Sequence, residues 1–311
     1  MSTTLSKLKS LYKRGENISA YLRAERNVPA NTREIIEIAY DLQSGSYVEA
    51  MRDPKMSEHK NAYAKMIAER IRGLMTPRTV MEAGVGEATT FSSVLSAVAH
   101  GQSERPVGYG FDLSWSRIAV ARQWLTEHGI KDARLCTGDL MQMPFAENSI
   151  DVVYTSHSIE PNGGREREIL QQLHRVTKHY LVLLEPGYEL AGDEAKARME
   201  SHGYCRDLPG HCESLGYKVL THELFPLTAN PLNPTALTII EKRSPAHESH
   251  AEQEAYACPE TGGRLISNGS VMFSPEGLLA YPIIEGIACL RKENAVMASQ
   301  FEEQVLRRGA A

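Results

Sequence analysis

The 311 residues carry a net charge of −5, with 42% hydrophobic and 23% charged residues. That is the balance of an ordinary globular protein, long enough for one large core and additional segments. No apolar run approaches the ~20 residues that cross a bilayer, and a net negative chain has no general attraction for phosphate backbones, which speaks against a membrane span and a nucleic-acid substrate.

Met1 to Ser10 form no hydrophobic signal core, and the five cysteines (Cys136, Cys205, Cys212, Cys258, Cys289) are odd in number and scattered. Free thiols in a reducing cytoplasm are the expectation. Residues 1–75 read as helical. Ile35, Ile36, Ile38 and Ala39 make an apolar stripe ahead of Tyr40 and Tyr47. Tyr63, Met66, Ile67, Ile71 and Leu74 predict an amphipathic helix leading into the first strand, with Arg70 and Arg72 in its last turn. The basic residues Lys7, Lys9, Lys13, Arg14, Arg23, Arg26 and Arg33 read as a solvated face.

From 76 to 243 strand and helix patterns alternate. Strands are expected at 79–83, 106–112, 133–137, 150–156 and 180–185, and helices at 89–100, 114–128 and 164–177. Alternation of this kind implies an α/β fold with a mostly parallel sheet and right-handed crossovers. The stretches Tyr217 to Phe225 and Ala236 to Lys242 leave no room for a helix between them, so the last strand is expected antiparallel. Residues 244–257 are polar, rich in Glu and His, and read as a linker. Residues 258–295 form a small module, and 296–311 a helix or tail.

Carboxylates recur at the carboxyl ends of successive strands: Glu82 before the turn Gly84-Val85-Gly86, Asp112 after Gly108-Tyr109-Gly110-Phe111, and Asp139 in Gly138-Asp139-Leu140. An open α/β sheet holds a nucleoside in this way. A dinucleotide fingerprint requires a third glycine where this chain has Thr89, so a nucleoside without pyrophosphate fits better.

With the run from Gly138 to Val153, these motifs resemble the class I S-adenosylmethionine-dependent methyltransferases, in the small-molecule branch that includes ubiquinone and menaquinone biosynthesis enzymes. The resemblance covers roughly residues 60–243. It implies a Rossmann-like sheet binding S-adenosyl-L-methionine and releasing S-adenosyl-L-homocysteine. The expected cofactor residues are Glu82, Ala83, Gly84, Gly86, Asp112, Leu113, Asp139, Leu140 and Ser156. Glu82 lies under the methionine end, Asp112 takes the ribose hydroxyls with Leu113 beside the adenine, and Asp139 takes the adenine amine near the Leu140 amide. Asp112 competes with a helix N-cap role, for which Ser114 also stands ready.

Candidates for proton handling lie on the loops after the fourth and fifth strands: His157, Glu160 and Tyr188. Glu160 precedes Pro161, where related small-molecule enzymes usually place a histidine. The end of the fourth strand lacks the Asn/Asp-Pro-Pro-aromatic motif of base and glutamine amino-methyltransferases, which argues against both substrate classes. The expected function is methyl transfer to oxygen or nitrogen, less readily carbon, of a small-molecule acceptor. The alternatives are an RNA or protein methyltransferase and a non-catalytic cofactor-binding scaffold. His202, Cys205, His211 and Cys212 fit no zinc spacing, and no metal site is expected.

The module resembles small zinc-ribbon-like proteins that serve as methyltransferase activator subunits. Cys258 stands alone, with Thr261, Ser274 and Gly277 where the other knuckle positions fall. A metal-free ribbon is expected, with a core of Leu265, Leu278, Tyr281 and Ile283. It reads as a lid, a dimerisation surface supporting a homodimer, or a substrate-recognition module, against a merely stabilising appendage.

Overall fold

The computed structural model describes residues 3–242 and 255–306. The helices are α1 (Leu5–Lys13), α2 (Ile18–Arg26), α3 (Arg33–Leu42), α4 (Ser46–Ala50), α5 (Pro54–Leu74), α6 (Thr89–Ala99), α7 (Trp115–Glu127), α8 (Glu166–Val176), α9 (Asp193–His202) and α10 (Leu208–Ser214). The strands of the main sheet are β1 (Thr79–Ala83), β2 (Val107–Asp112), β3 (Arg134–Thr137), β4 (Ile150–Ser156), β5 (Thr177–Pro186), β6 (Lys218–Leu224) and β7 (Thr235–Glu241). Five short strands follow: β8 (Ile266–Ser267), β9 (Val271–Ser274), β10 (Leu279–Ile284), β11 (Ile287–Cys289) and β12 (Val296–Met297). No helix among the described residues is long and apolar enough to cross a membrane.

Local chemistry starts these helices where they start. The side chains of Thr4, Asn17, Thr32 and Asp53 accept first-turn N–H groups of α1, α2, α3 and α5, satisfying donors that have no partner within the helix. Ser114, rather than Asp112, caps α7, accepting the Arg117 N–H at 3.0 Å. Asn27 ends α2 in a left-handed conformation, φ 51°.

The sheet runs β6-β7-β5-β4-β1-β2-β3-β11-β10-β9-β8. Strands β1 to β5 are mutually parallel, and β7 lies antiparallel to both β5 and β6. This is the expected α/β, Rossmann-like architecture with one reversed strand. The strand order turns between β1 and β4, the switch point where open α/β sheets bind ligands. One face of the sheet is covered by α5, α6 and α7 around Ile67, Ile71, Phe91, Val94 and Ile118. The other face is covered by α8 and α10 around Ile169, Leu173 and Cys212. Helices α1 to α3 close a separate small core of Leu8, Leu11, Ile18, Leu22 and Ile35.

The C-terminal strands do not stand apart from the sheet. Strand β11 pairs in parallel with β3, Ala288 opposite Cys136 and Cys289 opposite Thr137, and the Leu290 N–H continues the pairing to the Thr137 carbonyl at 3.1 Å. Cys258, Met272, Tyr281 and Leu290 join the core on the α8 face.

Composition misreads the end of the linker. Residues 255–257 pack into the molecule: the Ala146 N–H meets the Ala255 carbonyl at 2.8 Å, the Ala257 N–H meets that of Pro144 at 3.0 Å, and the Tyr256 ring lies 5.4 Å from that of Phe145. Residues 244–254 of the expected linker lie outside the described residues, as do 307–311 of the tail. In the small module Leu278 is 42% exposed with φ 52°, so it is a turn residue. Phe273 is the buried apolar side chain there instead, beside Tyr281.

Candidate functional site

A cavity of about 860 Å³ lies over the carboxyl ends of β1, β2, β3 and β4, roofed by residues 28–33, Ile36, Tyr40 and Tyr47 of the N-terminal segment. Its floor begins at the glycine turn. Gly84 has φ +75°, and a Cβ there would run into the Cβ of Ser158; Gly86 has φ +55°, and its Cβ would fall 2.6 Å from Nη2 of Arg117. Glycine is therefore required by the backbone conformation and by neighbouring protein atoms, beyond any ligand. Ala83 is buried in β1 and is not among the cavity-lining residues, so its part is to end the strand.

Glu82 is buried and accepts the Tyr154 hydroxyl at 2.7 Å. Burial lifts its carboxyl to about 8, against the pull of the Tyr154 bond and of Lys60 and Arg117. Lys60 also lines the cavity, its ammonium pKa lowered by burial while Glu82 opposes the shift. Asp112 takes the Gly86 N–H at 3.1 Å and the Ser114 N–H at 2.9 Å, which fixes the carboxylate at the mouth of β2. Arg117 stands 3.7 Å from it, between the rings of Tyr40 and Tyr47 at 5.0 and 4.9 Å, close enough for cation–π attraction.

Asp139 accepts the Met141 N–H at 2.8 Å and Nη1 of Arg33 at 2.9 Å. Leu113 and Leu140 line the cavity on this side. Arg33 therefore does not belong to the solvated basic face that its neighbours in sequence suggest. Ser156 lines the cavity at the end of β4, its hydroxyl 3.2 Å from that of Tyr63.

His157 lies at the other end, with φ +56°, a conformation costly for a side chain with a Cβ and typical of functional loops. Its Nδ1 is 2.5 Å from Oε2 of Glu160 and its Nε2 is 2.8 Å from the Thr235 hydroxyl. Burial pushes the imidazole pKa down, but the Glu160 contact and the charge of Glu185 outweigh this and hold it above 6.5. Glu160 shows the matching effect: burial pushes it up, and the His157 contact brings it below 4.5. Asn233 donates to Glu160 at 3.1 Å. The buried Glu185 carboxylate collects the N–H groups of Ser158, Ile159 and Glu160 at 3.0 to 3.2 Å, which holds the whole turn.

Tyr188 does not join this group. It is not among the cavity-lining residues, and its hydroxyl donates to Glu200 on α9. The loop after β5 folds into a short turn at Tyr188–Leu190 that faces α9 rather than the cavity. Among the described residues no group of three or more His, Cys, Asp or Glu side chains is arranged to hold a metal, and Cys205 and Cys212 are buried in the core.

Sequence reasoning missed Lys60, Arg117, Thr235 and Asn233. Lys60, Thr235 and Asn233 come from segments remote from the motifs, and no local pattern marks them. Arg117 alone carried a signal: it follows Asp112 on the first turn of α7, the turn that faces the glycine loop.

Residues 80–180 match the model of a family described as a methyltransferase domain. The demethylmenaquinone methyltransferase of Geobacillus kaustophilus (strain HTA426) is 33% identical over 84 residues, 26% of this chain and 36% of the relative. That of Geobacillus stearothermophilus is 34% identical over 70 residues, 22% of this chain and 30% of the relative. The chain thus spans about a third of the length of the curated relatives it matches. Among solved structures, the magnesium protoporphyrin IX methyltransferase from Synechocystis PCC 6803 with bound SAH superposes with a TM-score of 0.52 at 12% identity, covering 68% of this chain and 100% of that one. At this identity the likeness is one of fold. Residues 80–180 thus match a methyltransferase-domain model, and the fold is that of a Rossmann-like sheet.

Proposed function

We propose that the protein is an S-adenosylmethionine-dependent methyltransferase acting on a small-molecule acceptor at oxygen or nitrogen. The observation that carries this reading is the convergence of Glu82, Asp112 and Asp139, from the ends of three neighbouring strands, on one cavity beside a glycine turn. The residues fit the cofactor's three polar parts. Glu82, buried and proton-poised, suits the α-ammonium; Asp112, held by two backbone donors, has acceptor capacity left for the ribose hydroxyls; Asp139 faces the adenine side with Leu113 and Leu140. Bound there, the cofactor supplies an activated methyl group on its sulfonium.

The protein's own part is to position and to handle a proton. With Nδ1–H given to Glu160, His157 keeps Nε2 as its basic position, covered by the Thr235 hydroxyl. An acceptor hydroxyl or amine that displaces this contact would give its proton to Nε2, and Glu160 would stabilise the resulting imidazolium. The buried Ser158 hydroxyl and Asn233 carbonyl oxygen have no partner among the described residues. Both line the same end of the cavity, so they are available to orient a polar acceptor.

For the C-terminal strands we infer a zinc-ribbon-like module without its metal. Four positions spaced like paired knuckles meet in space. Burial pushes the Cys258 thiol up, but hydrogen bonds involving Ser274, Thr261 and Tyr281 outweigh it and hold the pKa below 9.0. A Cβ on Gly277 would fall 3.2 Å from both the Ser274 hydroxyl and the Thr261 methyl. One thiol and two hydroxyls are no set for structural zinc.

Calorimetric titration of S-adenosylhomocysteine tests the cofactor reading. The wild type is expected to bind. Asp112→Asn, which keeps the volume and removes the charge, should bind roughly 100-fold more weakly, because two hydrogen bonds to a charged acceptor are worth about 3 kcal/mol together. Equal affinity in the two proteins would refute the assignment of Asp112.

A further inference from the structure

Helices α1 to α3 form a unit with a core of their own, and several of its ties to the sheet are polar. Asp41 accepts the hydroxyls of Ser114 and Ser116 at 2.6 and 3.1 Å, and α3 adds two charged contacts. Nη2 of Arg33 pairs with Oε1 of Glu293 at 2.6 Å while its Nη1 holds Asp139 at 2.9 Å. One turn further along the same helix face, Glu37 receives both terminal nitrogens of Arg291, Nη2 to Oε2 at 2.8 Å. Arg291 is 9% exposed, and its Nη1 also approaches the Leu113 carbonyl at 3.4 Å. Residues 291 and 293 thus form a ladder of opposite charges with 37 and 33. Each rung ends at a residue of the adenine side of the cavity, Leu113 or Asp139.

We infer that the C-terminal segment around Arg291 and Glu293 is a latch that holds the N-terminal unit closed over the adenine side of the cavity and so sets how long a nucleoside ligand stays. The physical reason lies in the kinds of contact. A unit with its own apolar core loses little on swinging away, since its polar contacts can be replaced by water. The loop 28–32 and Arg33 line the cavity on this side, so their movement would widen the way out for an adenine bound against them. Arg33 is a positioning residue here: it aligns the Asp139 carboxylate while it is itself held by Glu293. Glu37, Arg291 and Glu293 do not line the cavity, so their effect on a ligand must pass through the roof. The ligand half of this inference rests on the cofactor reading above; the latch itself does not.

Two measurements on the full chain separate them. Amide hydrogen exchange of residues 28–42 without ligand should accelerate by about tenfold or more in Glu37→Gln/Glu293→Gln, and should return towards the wild-type rate in the swapped pair Glu37→Arg/Arg291→Glu. Stopped-flow release of S-adenosylhomocysteine should quicken by about tenfold in the same double variant, with an association rate within about threefold of wild type. Unchanged exchange over 28–42 in the double variant would overturn the latch. Faster exchange with unchanged release would overturn its control of the ligand. A wild type that does not bind S-adenosylhomocysteine would defeat the cofactor reading, and the exchange result would still decide the latch.

Discussion

Glu82 and His157 both hold a proton more tightly in the folded protein than in the unfolded chain. The Glu82 carboxyl is raised by burial from 4.5 to about 8, so between those values the folded protein holds a proton that the unfolded chain has released. Its contribution to stability is fully present below 4.5 and is lost as pH rises towards 8. A cofactor ammonium placed beside Glu82 would favour the carboxylate and expel that proton. Titrating S-adenosylhomocysteine near neutrality in buffers of different ionisation enthalpy should therefore show proton release, absent in Glu82→Gln. A wild type that releases none does not bring an ammonium to Glu82. His157 is held above 6.5 by Glu160. The stability from this pair is complete between 4.5 and 6.5; it fades as pH rises through the raised His157 value and as pH falls through the lowered Glu160 value. A base must be neutral to act, so the acid limb of turnover should lie above the ordinary imidazole range and move down in Glu160→Gln. At this scale the residue types of the site were legible and their partners were not. Carboxylates at strand ends are visible in a string of letters, whereas the bond from His157 to Thr235 spans two strands.

Strands and helices of the sheet fall close to where periodicity places them: β1 and β4 coincide with the expected 79–83 and 150–156, while β5 begins at Thr177 rather than 180. Alternating apolar runs and capped amphipathic stretches are local signals, and the sheet adds little to them. The N-terminal elements were legible only as helices, because nothing local tells α3 which surface it will cover. Helix α4 shows how such an element is placed. The buried Glu87 of the glycine loop accepts the N–H groups of Gly45 and Val48 at 2.9 and 2.8 Å, acting as a remote cap. Glu87→Gln should cost about 1 kcal/mol of stability, the usual scale of a lost cap, readable as a shift in a denaturant midpoint. An unchanged midpoint would mean that the bonds are replaced by water without loss.

Across the whole molecule the sheet is continuous from β6 to β8, because β11 covers the β3 edge that would otherwise present unpaired backbone. Leu290, fully buried at this seam, belongs to the same core as Ile169 and Leu173 of α8. Leu290→Ala should destabilise the protein by about 2–5 kcal/mol. A module that folds with the sheet shares its unfolding transition, so the variant is expected to retain a single thermal transition at lower temperature. A second transition, moving alone, would mean that the C-terminal strands fold independently.

By itself the chain determined the alternation of strand and helix, the reversed last strand, the glycine turn and the carboxylates at the strand ends. These depend on residue type and short spacing, and such patterns are present in the letters. Only the tertiary structure decided that Arg33 meets Asp139, that Thr235 and Asn233 join His157 and Glu160, that Tyr188 turns away, and that residues 255–257 and β11 enter the core. Each of those contacts joins segments whose meeting depends on how whole elements pack, and a side chain carries no local mark of the partner that packing will bring to it.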